Sequence, residues 1–225
     1  SNAQLVSILV DPGHGGNDPG HLPLGHDGIQ EKVLALDIAL KVGNYLSNNL
    51  SGVNVGYTRT DDSSVSLDAR EQMANSGKYD YMLSIHINGN PKTEVYGTET
   101  LIHDYDSKDA HKWAKMVESQ FKKRAGRKSR GVKTRYDLGH SLQILKFTEI
   151  PTIIVECGFM FIPFTYSSVP RCLIRGPILS CIAILNFSKV LLFDIKLSLI
   201  YKTRKILFKE VSIDKNDFFI KIIVY

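Results

Sequence analysis

Cysteine is scarce in this chain. There are three, Cys157, Cys172 and Cys181, an odd number with neither metal-ligand nor redox spacing. No disulfide framework is expected, and Cys157, which follows a β-branched run, reads as a small buried residue. Two catalytic signatures are also missing: no His-Glu-x-x-His helix marks a common zinc peptidase, and no Gly-x-Ser-x-Gly turn marks a serine hydrolase. Long apolar runs are absent as well. The longest candidate, Ile178 to Phe193, is broken by Asn186, Ser188 and Lys189 and falls short of the roughly 20 residues that span a bilayer. The basic run from Lys122 to Arg130 lacks interleaved aromatics, so it reads as a solvated loop and no nucleic-acid partner is expected.

What is present is a set of apolar runs that end in chemistry. Leu5-Val6-Ser7-Ile8-Leu9-Val10 leads into Asp11-Pro12-Gly13-His14-Gly15-Gly16, a strand ending in a glycine-flanked histidine. Tyr81-Met82-Leu83-Ser84-Ile85-His86-Ile87-Asn88 likewise carries a histidine near its end. Between them Glu31 opens an apolar stripe at helical spacing. Two imidazoles and one carboxylate make a three-ligand zinc set that leaves the fourth position for water, as a hydrolytic zinc requires. A fourth run, Pro151-Thr152-Ile153-Ile154-Val155, ends in Glu156, a carboxylate placed to act as acid and base. The alternative reading of Glu156 is a solvated glutamate on an edge strand.

Strand-like and helical segments alternate. Residues 52–58, 81–88 and 98–103 read as strands; 66–75 reads as a capped helix and 110–123 as an amphipathic helix holding Trp113. The expected fold class is α/β: a single, mostly parallel twisted sheet flanked by helices on both faces, with the zinc site at the carboxyl ends of strands. Most other histidines (His21, His26, His103, His111) read as surface residues. His140, ahead of a strand-like Ser-Leu-Gln-Ile-Leu segment, is a candidate substrate contact, and Arg70 reads as half of a structural ion pair.

Residues 4 to about 160 resemble the zinc-dependent N-acetylmuramoyl-L-alanine amidases of bacterial autolysins and phage endolysins. Seven motifs carry the resemblance in family order: Val10 to Gly16, Glu31-Lys32, Thr58-Arg59-Thr60-Asp61, Ser84 to Asn88, Gly97-Thr98-Glu99-Thr100, Arg130-Gly131-Val132-Lys133 and Val155-Glu156-Cys157-Gly158-Phe159. By that resemblance His14, Glu31 and His86 ligate one Zn2+ per chain and Glu156 is the acid/base residue. The implied substrate is peptidoglycan or its muropeptides, cut between the lactyl group of N-acetylmuramic acid and L-alanine, at the cell wall or outside the cell. A zinc peptidase acting within the stem peptide and a catalytically silent wall-binding protein are the alternatives.

The pattern breaks near Met160. Residues 1–160 carry 18 Lys and Arg against 19 Asp and Glu, so the chain's net +5 arises from a +6 remainder in 161–225. Phe161-Ile162-Pro163-Phe164 stands where the family continues with a Ser-Asn pair and an acidic helix. The expected organisation is a catalytic domain over 1–160 and an atypical apolar, basic tail over 161–225, either a native module or the product of a frame change. Ser1-Asn2-Ala3 reads as the scar of a removed expression tag, which would hide the native start.

Overall fold

Apolar runs with β-branched residues become strands, and the amphipathic stripes between them become helices, in a computed structural model that describes residues 5–22, 29–92 and 94–161. The readings of Ser1-Asn2-Ala3, His26, Cys172, Cys181 and the tail after Phe161 lie outside those residues. The elements are β1 (Val6–Pro12), α1 (Glu31–Asn49), β2 (Val53–Tyr57), α2 (Leu67–Ala74), β3 (Tyr81–Asn90), β4 (Thr98–Leu101), α3 (Lys108–Arg124), β5 (Ser129–Lys133), α4 (Arg135–Leu138), α5 (Gln143–Phe147) and β6 (Thr152–Phe161).

They form one six-stranded sheet in the order β2-β1-β3-β6-β4-β5. β2, β1, β3 and β6 run parallel, β4 is antiparallel to β6, and β5 is parallel to β4. The parallel strands therefore end, and β4 and β5 begin, at the same edge of the sheet. β1 and β3 read as near-continuous apolar runs because both of their faces are covered, as parallel strands require.

Alternate residues feed two cores. Val6, Ile8, Val10, Leu83, Ile85, Ile153 and Val155 pack against α1 and α3, where Ala35, Ile38, Val42, Leu46 and Trp113 are buried. Leu9, Met82, Leu101 and Ile154 face the other way, against Ala74 of α2 and Ile144 and Leu145 of α5. Each fully buried Leu or Ile contributes about 1.5–3 kcal/mol. The segment read as strand-like after His140 is helical instead. Its neighbouring Ile144 and Leu145 both reach the second core, which a turn of helix permits and a strand does not. Among the described residues no helix is long and apolar enough to cross a membrane.

Candidate metal centre

The loop after β1 is held from beneath by buried polar groups. Asp11, 1% exposed, accepts hydrogen bonds from Thr58 Oγ1 (2.6 Å) and Ser84 Oγ (2.6 Å) and forms an ion pair with Arg70. Arg70 also donates to the carbonyls of Pro12 (2.8 Å) and His14 (2.6 Å). Arg59 donates to those of Pro12 (3.1 Å), Gly13 (2.6 Å) and Lys32 (3.0 Å). Two buried guanidiniums thus pin three successive carbonyls and tie the start of α1 to the same loop. Within it His14 adopts φ 60°, a left-handed conformation that costs an L-residue about 1–3 kcal/mol and is retained where the surroundings enforce it. At Gly13 a Cβ would overlap the His86 ring, so only glycine lets the β1 loop and β3 approach this closely.

That scaffold brings three sequence-predicted residues together. His14 Nε2 and His86 Nδ1 each lie 3.1 Å from Glu31 Oε1, and the two rings meet edge to face with centroids 4.8 Å apart. Glu31, the first residue of α1, is 1% exposed. Its Oε1 also accepts from Ile87 N (3.0 Å), and its Oε2 accepts from the backbone N (2.8 Å) and Nδ1 (2.7 Å) of His21. Burial alone would raise the Glu31 pKa, but hydrogen bonds from His14, His86 and the His21 backbone hold it far below the usual carboxylate range.

Asp18 Oδ2 sits 2.8 Å from His14 Nδ1. An ionised carboxylate only accepts, so Nδ1 donates to Asp18 and the protonated Nε2 donates to Glu31; burial would lower the His14 pKa, but these two contacts raise it. Once Nε2 gives up its proton, nitrogen and oxygen lone pairs face one another at 3.1 Å, and a cation would take the proton's place between them. Two zinc bonds of about 2.0–2.1 Å at a tetrahedral angle end about 3.4 Å apart, close to this spacing. The donor set therefore fits a zinc-sized ion.

Glu156 lies next door. It is the register partner of His86 on β3 and of Glu99 on β4, in an interior strand, not the edge strand of the alternative reading. A bulge follows it at once: the register moves from His86↔Glu156 to Asn88↔Phe159, with one extra residue on β6. Oε2 of Glu156 is sealed from solvent and has no hydrogen-bond partner among the described residues. Desolvation, then the neighbouring charges of Glu31 and Glu99, push its pKa well above the carboxylate range. Glu99, by contrast, is fully engaged, accepting from Asn88 Nδ2 (2.8 Å) and Arg130 Nε (2.8 Å).

Residues 8–163 match the protein family described as N-acetylmuramoyl-L-alanine amidase. The chain belongs to this family. A sporulation-specific N-acetylmuramoyl-L-alanine amidase of Bacillus subtilis (strain 168) is 34% identical over 69% of this chain and 57% of its own length. An endolysin of Bacillus phage SPP1 is 31% identical over 68% of this chain and 54% of its own. The chain thus spans about half the length of these curated relatives. A crystal structure of an N-acetylmuramoyl-L-alanine amidase from Clostridium difficile 630 superposes with a TM-score of 0.67 at 28% identity, covering 82% of this chain and 95% of that one.

For a member of the amidase family, two contacts beside the candidate ligands escape a reading of the sequence: that of Asp18 with His14, and that of His21, which is exposed as read, with Glu31. Both act through a loop that folds back on itself, and loops of this kind carry no periodic signal. The available hint is the spacing of Asp18, four residues after His14 and between glycines. His140 does not join the site. Its Nδ1 contacts Leu138 O (3.1 Å) between α4 and α5, which follow the far end of β5, opposite the edge that holds Glu156. Arg70 forms the expected ion pair, and Cys157 is buried with its thiol donating to Val155 O (3.7 Å).

Proposed function

We propose that this chain hydrolyses the amide between the lactyl group of N-acetylmuramic acid and L-alanine in peptidoglycan, acting at the cell wall. His14, Glu31 and His86 hold one Zn2+, and Glu156 is the acid/base residue. One observation carries the reading: His14 Nε2 and His86 Nδ1 converge on Glu31 Oε1 beside a buried carboxylate oxygen, Glu156 Oε2, that has no partner among the described residues. Zinc bound there supplies Lewis acidity, polarising the amide carbonyl and acidifying water.

The remaining steps belong to the protein. Glu156 Oε2 takes a proton from the attacking water and passes it to the leaving nitrogen as the C–N bond breaks. The products are a free lactyl carboxylate and the amino group of L-alanine. Desolvation raises the Glu156 pKa and a cation on the neighbouring ligands would lower it again, so the carboxylate is ionised to take the proton and basic enough to keep it until the nitrogen leaves. Asp18 orients His14, and the Arg59 and Arg70 contacts keep the loop carbonyls from shifting. Digestion of purified walls followed by mass spectrometry tests the reading. Glycan with free lactyl groups and stem peptides starting at L-alanine are expected, and both should vanish with a chelator. Stem peptides cut internally, with the lactyl amide intact, would overturn it in favour of a peptidase.

A further inference from the structure

The basic run from Lys122 to Arg130 does not form a featureless solvated loop. Its two halves, the last turn of α3 and the start of β5, border an open pocket of about 540 Å³ lined by Lys122, Arg127, Lys128, Ser129, Arg130 and Gly131. Four of the six lining residues are cationic and none is acidic. Lys122 and Lys128 are exposed, and Lys128 Nζ lies 5.0 Å from the Tyr96 ring centroid.

The pocket is linked to the candidate site through Arg130, a lining residue that pairs with Glu99, the register partner of Glu156. β5 begins at the edge of the sheet where β6 carries Glu156, and Glu99 of β4 lies between the two strands. Arg130 donates through Nε to Glu99 Oε2 (2.8 Å), with its guanidinium 5.1 Å from the Phe159 ring. Two inter-strand spacings separate β6 from β5, about 10 Å, and an extended peptide covers that in about three residues.

We propose that the pocket binds carboxylates of the stem peptide, two to three residues beyond the amide being cut; the assignment rests on the amidase reading above. An open cationic pocket of limited extent, about 10 Å from the strand that carries Glu156, suits a short anionic peptide anchored at the reacting bond. A repeating polyanion would instead need a long basic stripe.

Calorimetry without turnover tests this. The probes are the free tripeptide L-alanyl-γ-D-glutamyl-meso-diaminopimelate and its counterpart with amidated carboxylates. K122Q/K128Q changes two exposed residues outside the ligand set and should fold normally. Wild type is expected to prefer the acid, and K122Q/K128Q to bind the acid about three- to tenfold more weakly with the amide unchanged. The difference should shrink with added salt. Equal wild-type affinity for acid and amide would overturn the proposal. So would a double variant that keeps its tripeptide affinity and loses only binding to poly(glycerol phosphate), which would assign the pocket to a wall polymer. Intact lactyl amides in wild-type wall digests would instead count against the amidase reading, independently of the binding result.

Discussion

The loop after β1 and the end of β6 sit side by side at one edge of the sheet and are built on opposite terms. Around the loop the buried polar groups are matched: Asp11 has three donors, and the carbonyls of Pro12, Gly13 and His14 each receive a guanidinium. On β6 a buried carboxylate oxygen has no partner among the described residues and a pKa pushed well up, first by desolvation. The contrast suits the roles proposed for them: a ligand set must be rigid, which saturated hydrogen bonding provides, and a proton carrier must keep an atom unsatisfied until substrate arrives. The same edge thus holds a fixed half and a reactive half.

Removing the reactive half should have the largest effect. Glu156→Gln keeps the shape and the three ligands, so zinc content and fold should persist while wall hydrolysis falls about 10²- to 10⁴-fold. His86→Ala should do the reverse and lose the metal itself, as metal analysis would report. A Glu156→Gln protein that retains zinc and works within threefold of the parent would erase the contrast.

The fixed half breaks through its buried ion pair. Arg70→Met strands the Asp11 charge and should cost about 3–5 kcal/mol in urea unfolding of the metal-free protein, whereas exposed lysines nearby should cost little. A smaller effect is expected at Asp18→Ala, which frees the His14 ring without removing a ligand. Zinc affinity should drop about 10- to 100-fold by competition with a chromogenic chelator.

Glu118 sharpens the comparison, because it is a buried carboxylate with partners. It accepts from Thr98 Oγ1 (3.1 Å), Thr100 Oγ1 (2.8 Å) and Ser129 Oγ, yet desolvation still raises its pKa. A pKa higher in the folded than in the unfolded state means that the folded chain holds the proton more tightly. Its stabilising contribution is complete below the unfolded carboxylate value and is lost as pH rises through the raised folded one. Stability measured against pH should therefore fall across that window in the parent and stay flatter in Glu118→Gln. Parallel curves would show that the three hydroxyls fully offset burial.

Much of the fold, and the convergence of the candidate ligands, was readable from the chain because both follow from the same apolar runs. β1, β3 and β6 are near-continuous hydrophobic segments, and His14, His86 and Glu156 mark where each run meets the edge. α1 and α3 announce themselves by their apolar stripes and α2 by its cap, Ser66 Oγ accepting from Ala69 N (3.2 Å). β5 hid inside the basic run, since five half-buried residues lack alternation. α5 mimicked a strand through Leu142 and Ile144, and its packing against α2 and β6 decided otherwise. Arg59 gave no hint of its role, because main-chain carbonyls as partners leave no trace in sequence.

The central position of β6 has a consequence in time. It is the last described strand in sequence, yet it lies between β3 and β4 and joins two halves, β2-β1-β3 and β4-β5. Until residues 152–161 emerge during synthesis, those halves share no neighbour. The proposed ligands, by contrast, all precede residue 90, within elements that pair early in the chain. Refolding followed by pulsed hydrogen exchange should find β4 protected no sooner than β6. A growing chain would therefore gain the means to hold a metal before it gains the carboxylate that puts it to use, and hydrolysis would begin only when the middle of the sheet is filled.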